Sequence, residues 1–348
     1  MSDRGGGKAK NGGRPMREAW ISYTELQRMG PDVLRARISE RPEEAARWVE
    51  AAALNGLVNA QIAWGQMLVD GHGVLANPAA GLRWFRVAAS AGSMDGVNMV
   101  GRCHELGWGT APDAAEAARH YRQAAEAGHG WAQFNLATLL LDGRGVTQDR
   151  REARVWYMRS AWGGNAKAMT MLGRFVEHGW DRPARPAAAL RWYRRGAEGE
   201  DYRGQFDYAR LLLELTGRLD FALPWFARSI ANGVPAFCRN VGAALREAPQ
   251  PELRRLALRA LERAASESGE AGDLRAYAAA LAAGLGGLSD PDSAARQFER
   301  ARDAELASQA EPTTSPSSTE QRPRRPRTLL ARLRAHFNSR TAAPRHPT

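Results

Sequence analysis

The chain has 348 residues and a formal net charge of +11, with 49 lysines and arginines against 38 aspartates and glutamates. Most of the excess lies at the ends: residues 1–17 hold five basic and one acidic residue, and residues 311–348 hold eight and two, which leaves 36 and 35 between them. A nearly neutral central part argues against a nucleic-acid-binding domain, which would carry a basic face. Two cysteines outside any CxxC pattern argue against a disulfide framework.

The first 17 residues are polar and glycine-rich, so we expect a disordered leader there. This segment lacks the apolar core of a signal peptide. No stretch of the sequence approaches the ~20 apolar residues that a membrane-spanning helix needs. The sequence therefore predicts a cytoplasmic protein.

An aromatic position recurs every 36 residues from residue 48 onward (84 − 48 = 36), and a glycine recurs at the same spacing. The aromatic positions are Trp48, Trp84, Trp156 and Trp192, with His120 in the remaining slot. The glycines are Gly71, Gly107, Gly143 and Gly179. A fixed period of this length predicts stacked structural repeats that bury their apolar faces against one another.

Each unit reads as two helices joined by a glycine-containing loop, because apolar residues recur at i, i+3, i+4 and i+7. Asn77 before Pro78 predicts an N-cap for the second helix of its unit. Asp113 and Asp149 hold the same position in the next two units, each with a glutamate three residues later, which predicts capping boxes. The loop at 179–186 departs from this pattern, and we expect it to lack the cap.

The pattern changes after Trp192. The next tryptophan, Trp225, follows after 33 residues (225 − 192 = 33), and helices are expected at about 251–266, 271–284 and 291–309. We therefore predict an all-α fold with four parts. These are a leader (1–17), a solenoid of helical hairpins (18–245), a helical C-terminal cap (246–309) and a basic, Pro- and Ser-rich tail (310–348).

These residues resemble the Sel1-like repeat of bacterial proteins, a relative of the tetratricopeptide repeat. The unit that begins at Ala132 carries the resemblance most clearly, with Asp142-Gly143-Arg144-Gly145-Val146, Asp149, Ala153, Trp156-Tyr157 and Ala161. The resemblance covers roughly residues 42–245. It implies a right-handed α-solenoid that acts as a scaffold or adaptor for protein–protein interaction, without catalysis.

Three features could carry chemistry but favour a structural interpretation. The aromatic pairs recur in every unit beside small residues, which favours core packing over a ligand platform. The Gly-x-Gly loops lack the preceding strand and the spacing of a phosphate-binding loop, so glycines that permit positive φ explain them better. The histidines form no i, i+4 pair with metal-site spacing. We expect no catalytic residue, no cofactor and no metal.

The first helices offer the best candidate for a binding site, because their outward positions do not repeat in chemistry. In tetratricopeptide-like stacks this helix lines the concave groove. The candidate groove residues are Arg102, Trp131, Phe134, Thr138, Arg174, Phe206 and Arg210. Guanidiniums at one phase would suit an acidic partner segment, and the aromatic residues would anchor it. The alternative is a set of solvated arginines in pairs within their own repeats, for example with Glu105 or Glu177.

The C-terminal tail carries a second candidate, a short basic amphipathic helix. Its residues are Arg327, Leu330, Leu333, Arg334 and Phe337. Such a helix would contact an anionic membrane weakly or enter a partner groove; the alternative is a disordered, solvated tail. The leading hypothesis is thus a non-catalytic scaffold that binds a protein segment in its groove. The second is a peripheral membrane or nucleic-acid accessory protein that acts through its basic tails.

Overall fold

In a computed structural model, residues 41–287 and 289–310 are described, and every regular element in them is an α-helix. The predicted leader, residues 18–40 and the chain from residue 311 lie outside this part. The chain divides into two compact units, Met1–Pro112 and Asp113–Thr348.

The described part of the first unit contains four helices of 13 residues each. They are α1 (Pro42–Leu54), α2 (Val58–Asp70), α3 (Pro78–Ser90) and α4 (Met94–Leu106). The second unit contains the remaining eleven helices of the described residues. They are α5 (Ala114–Glu126), α6 (Gly130–Asp142), α7 (Arg150–Trp162), α8 (Ala166–His178), α9 (Pro186–Glu198), α10 (Tyr202–Thr216), α11 (Leu219–Asn232), α12 (Pro235–Leu245), α13 (Pro251–Ser268), α14 (Ala271–Ala282) and α15 (Pro291–Ala310).

The ends of the helices follow from the residues that the repeat places there. From α2 to α10, the first helix of each pair ends on a left-handed glycine, such as Gly143 with φ +69°, a conformation that side chains disfavour. Asp149 accepts hydrogen bonds from the backbone of Arg151 and Glu152 at the start of α7, as predicted. Helix α9 begins at Pro186, and its N-cap residue Arg185 makes no side-chain cap hydrogen bond, so the predicted loss of the cap is confirmed.

The second glycine of the loop has a role that periodicity did not predict. A Cβ atom on Gly145 would overlap the backbone of Ala114, at the start of the preceding second helix. Gly73 and Gly109 approach the starts of their own preceding second helices in the same way. These glycines are therefore required by close contact between loop and helix, besides their positive φ.

The second residue of each recurring aromatic pair lies in the core, as predicted, whereas Trp84, His120 and Trp192 are only partly buried. Phe85, Tyr121, Tyr157 and Tyr193 are fully buried. Small residues on the facing first helix make room for their rings: a Cβ on Gly173 would lie 2.5 Å from the ring of Tyr193. This close approach explains why glycine is used inside a helix, where it costs about 1 kcal/mol relative to alanine.

The helices after the repeats begin and end close to the predicted residues. Helices α10 to α13 share a core in which Phe206 packs edge-to-face on Phe226 and Phe237, at centroid distances of 5.3 and 5.9 Å. The fold is an all-α solenoid of helical hairpins. No helix within the described residues is both long and apolar enough to cross a membrane.

Candidate interaction site

The predicted anchor Trp131 lies in the first turn of α6 and is 50% exposed. Its ring packs edge-to-face on Phe134 at 6.1 Å. The ammonium of Lys167, in the first turn of α8, lies 5.2 Å from the centre of the Trp131 ring, within range of a cation–π interaction. One indole face is thus supported by the protein while half of the side chain meets solvent.

Behind Trp131, a row of aromatic rings continues through the second unit. Phe134 contacts Tyr157 at 5.5 Å, Tyr157 contacts Phe175 at 5.9 Å, and Phe175 contacts Trp180 at 5.0 Å. The edge-to-face geometry of these pairs is favourable. The row gives Trp131 a packed support.

The predicted residue Thr138 belongs to this support. Its hydroxyl lies 2.9 Å from that of Tyr157, and it donates to the Phe134 carbonyl at 3.0 Å. Burial raises the pKa of Tyr157 well above its usual value, so this phenol remains neutral. Thr138 therefore positions the aromatic row.

Two of the three arginines predicted to line the groove, Arg174 and Arg210, form ion pairs between adjacent repeats. Arg174 reaches Asp207 with an Nη2–Oδ2 distance of 2.9 Å. Arg210 donates to Glu177 at 2.6 Å and lies 3.3 Å from Glu214. Arg174 and Arg210 thus pair with Asp207 and Glu177 of a neighbouring repeat and are shielded from solvent, whereas the alternative placed solvated pairs within one repeat.

Two of the predicted groove residues do not face outward. Phe206 is fully buried because α11 and α12 cover it with Phe226 and Phe237. The Arg210 side chain is 5% exposed because two carboxylates draw it inward. The prediction that these two residues present their side chains to a partner is wrong.

Glu177 is buried beside Arg210 and Tyr193, and both donate hydrogen bonds to its carboxylate. Burial by itself would raise its pKa, but the charge of Arg210 and hydrogen bonds from Arg210 and Tyr193 outweigh that effect. The pKa of Glu177 is therefore held below its ordinary value, and the carboxylate remains charged. Tyr193 is its second donor, with an O–O distance of 2.7 Å.

Arg102 belongs to the first unit. Its guanidinium lies 4.8 Å from the centre of the Trp108 ring, and Nη1 lies 3.9 Å from the sulfur of Met99. These contacts orient the side chain while leaving it partly accessible. A partner-binding role for Arg102 stays a prediction. The predicted tail residues, Arg327 to Phe337, lie outside the described part of the chain.

The sequence interpretation missed Trp162, the last residue of α7, which is 76% exposed. The sequence did contain a signal for this exposure, because the other repeats have the polar residues Ser90, Glu126 and Glu198 at the equivalent position. Trp162 and Trp131 lie at the same end of the helix pair: Ser160 donates to the carbonyl of Gly130 at 2.8 Å, which places the C-terminal end of α7 beside the N-terminal end of α6. We call Trp131, Trp162 and Lys167 the tryptophan edge.

Paired helices, left-handed glycines and buried aromatic positions define the class of an α-solenoid built from tetratricopeptide-like hairpins. More particularly, residues 58–93, 95–129, 132–164 and 166–201 match the model of the Sel1 repeat. The chain therefore contains four Sel1 repeats. Proteins built from these repeats are generally non-catalytic scaffolds for protein–protein interaction.

Two solved bacterial structures resemble the chain. A Sel1 repeat protein from Oxalobacter formigenes is 22% identical with a TM-score of 0.55, over 78% of this chain and 99% of that one. A protective antigen of uropathogenic Escherichia coli with an SLR fold is 28% identical with a TM-score of 0.42. That match covers 74% of this chain, which spans only 64% of the antigen. Among curated proteins, none matches the sequence significantly.

Proposed function

We propose that the chain is a non-catalytic scaffold that holds a segment of a partner protein on its second unit, with the tryptophan edge as the anchor. The carrying observation is the exposure of two tryptophans in one repeat, 50% for Trp131 and 76% for Trp162. The other repeats use polar residues at both positions, for example Asp95 and Glu126. Neither tryptophan is needed by the repeat pattern.

The two indoles expose enough apolar area to water for a partner to gain binding energy by covering them. A tryptophan side chain buries on the order of 200 Å² when covered. At about 25 cal/mol per Å², covering the exposed fractions would contribute about 2–4 kcal/mol for each ring. Tryptophans of this kind are enriched among the residues that dominate binding energy.

The neighbouring residues indicate the chemistry of the partner segment. Phe134 supports Trp131 from the core side, and Thr138 and Arg174 hold their helices in place through Tyr157 and Asp207. Lys167 adds a positive charge beside the indole. A partner segment with an apolar side chain next to an acidic one would fit this edge.

Two further predictions concern the tail, which lies outside the described residues, and the location of the protein in the cell. Contact of the tail helix with an anionic membrane stays a prediction, as does cytoplasmic location. The scaffold proposal depends on neither, because its anchor lies in the described second unit.

The proposal is tested by capture with the full chain, followed by identification of the bound proteins. The test variant is W131A/W162A. The control is F221A/L306A, which removes two side chains of similar exposure (52% and 59%) elsewhere in the second unit. We expect one partner to be lost from the test variant and kept by the control.

If W131A/W162A retains every captured protein at the level seen with the control, the tryptophan edge does not bind a partner. Circular dichroism and thermal unfolding of both variants establish that the solenoid is intact. Both pairs of side chains are substantially exposed, so we expect little change in stability.

A further inference from the structure

The fourth repeat breaks the glycine contact that closes the earlier loops. Gly73, Gly109 and Gly145 each lie against the start of a preceding second helix, where a Cβ would overlap backbone. At the equivalent position the fourth repeat has Asp181 (145 + 36 = 181). Because an aspartate cannot approach a helix start as closely as glycine does, the loop must stand away from α7.

A cleft of about 770 Å³ lies at the place where the glycine contact is missing. Its walls are residues 148–151, which lead into α7, and residues 179–183 of the altered loop. Both segments belong to the second unit. The cleft is thus the direct structural consequence of a glycine-to-aspartate departure from the repeat.

The charges around this cleft are unequal. Arg150, Arg151 and Arg182 line it, against Asp149 and Asp181. Both aspartates are engaged. Asp149 caps α7 through two backbone hydrogen bonds, and Asp181 accepts from Nε of Arg154 at 2.6 Å with its side chain only 4% exposed.

The arginines of the cleft remain available. All three are exposed. Arg182 lies 3.7 Å from Asp181, whose carboxylate is already held by Arg154. The earlier repeats have Ala114-Ala115 and Pro78-Ala79 where this one has Arg150-Arg151, so the two arginines are also departures from the repeat pattern.

Trp180 gives the cleft an ordered wall. Its ring packs edge-to-face on Phe175 at 5.0 Å and lies 5.7 Å from His178. The backbone of Trp180 donates to the Phe175 carbonyl at 3.4 Å. The loop is therefore anchored to α8 on one side, and to α7 through Asp181 and Arg154 on the other.

We propose that this cleft binds an acidic peptide segment of a partner protein, whose carboxylates pair with Arg150, Arg151 and Arg182. Guanidiniums pair with carboxylates through charge-assisted hydrogen bonds, often two at a time. Two of them in the first turn of α7 and one on the altered loop match successive acidic side chains of an extended segment, with Trp180 beside them. The cleft is independent of the tryptophan edge and would bind whether or not that edge does.

The test uses the full chain, a hexaglutamate peptide and hydrogen exchange followed by mass spectrometry. This readout is local, so binding of the peptide to the basic chain ends does not obscure the result. Added peptide should slow exchange in segments that cover 148–151 and 179–183. The Kd from that protection should be about tenfold weaker in R150A/R151A/R182A, and should rise with salt.

The matched control is R83A/R191A/R259A, which removes the same charge from exposed positions outside the cleft. It should bind hexaglutamate like the parent chain. Equal affinity of the two triple variants for hexaglutamate would overturn the proposal. Protection from exchange only outside residues 148–151 and 179–183 would also overturn it. All six arginines are exposed, so we expect both variants to fold.

Discussion

Arg210 and Glu177 form an ion pair between adjacent repeats, with an Nη2–Oε2 distance of 2.6 Å and side chains that are only 5% and 2% exposed. The hydroxyl of Tyr193 donates to the same oxygen at 2.7 Å. Because this pair is shielded from water, removal of one partner leaves a buried charge without compensation. The pair thus joins helices α8 and α10.

We expect R210M to lower the free energy of unfolding by about 3–5 kcal/mol, because Glu177 loses its cation while remaining buried. Urea denaturation measures this change. The control is R194M, which breaks an exposed pair with Glu198 and should change stability little. Similar losses in the two variants would contradict the importance of burial.

The Glu177 carboxylate should make the free energy of unfolding depend on pH. The pKa of Glu177 is held below its ordinary value of 4.5, so its contribution to stability is complete above that pH. It is lost as the pH falls through the folded-state pKa. The parent chain should be more stable than E177Q at neutral pH, and the difference should shrink on acidification. A stability difference between the parent chain and E177Q that stays constant in acid would contradict a stabilising role of the charged Glu177.

The helix boundaries could be predicted from the sequence because their signals are local. Asn77, Asp113 and Asp149 cap helices by hydrogen bonds to the next few residues, and the loop glycines permit a left-handed turn. The core aromatic positions could be predicted because the repeat places the same partners around each of them.

The candidate site was harder to predict because exposure depends on residues distant in sequence. Phe206 shares its phase with Phe134, but α11 and α12 cover it. Arg210 shares its phase with Thr138, but the preceding repeat supplies Glu177. The converse error concerned Trp162, which departs from the polar residues of its phase and is exposed.

The close contact between Gly145 and the Ala114 backbone leads to a prediction that the repeat period alone does not give. G145A places a methyl group against the Ala114 backbone and adds strain at φ +67°. We expect it to destabilise the protein by about 2 kcal/mol more than G164A, where φ is +90° and nothing lies within 4 Å. Thermal unfolding compares the two variants, and equal losses would show that the loop contact matters little.

The two thiols should be unreactive while the protein is folded. Burial raises the pKa of both Cys103 and Cys238 to about 11, so little thiolate forms near neutral pH. We expect Ellman's reagent to modify both slowly in the native protein and rapidly in guanidinium chloride. Fast modification without denaturant would contradict the burial of these residues.

The central claim is that the tryptophan edge holds a partner segment. Its most direct measurement is calorimetric titration of the purified captured partner into the full chain, W131A/W162A and F221A/L306A. We predict a Kd at least about 30-fold weaker for W131A/W162A, which corresponds to about 2 kcal/mol, with the control unchanged. Equal affinity for all three proteins would contradict the account.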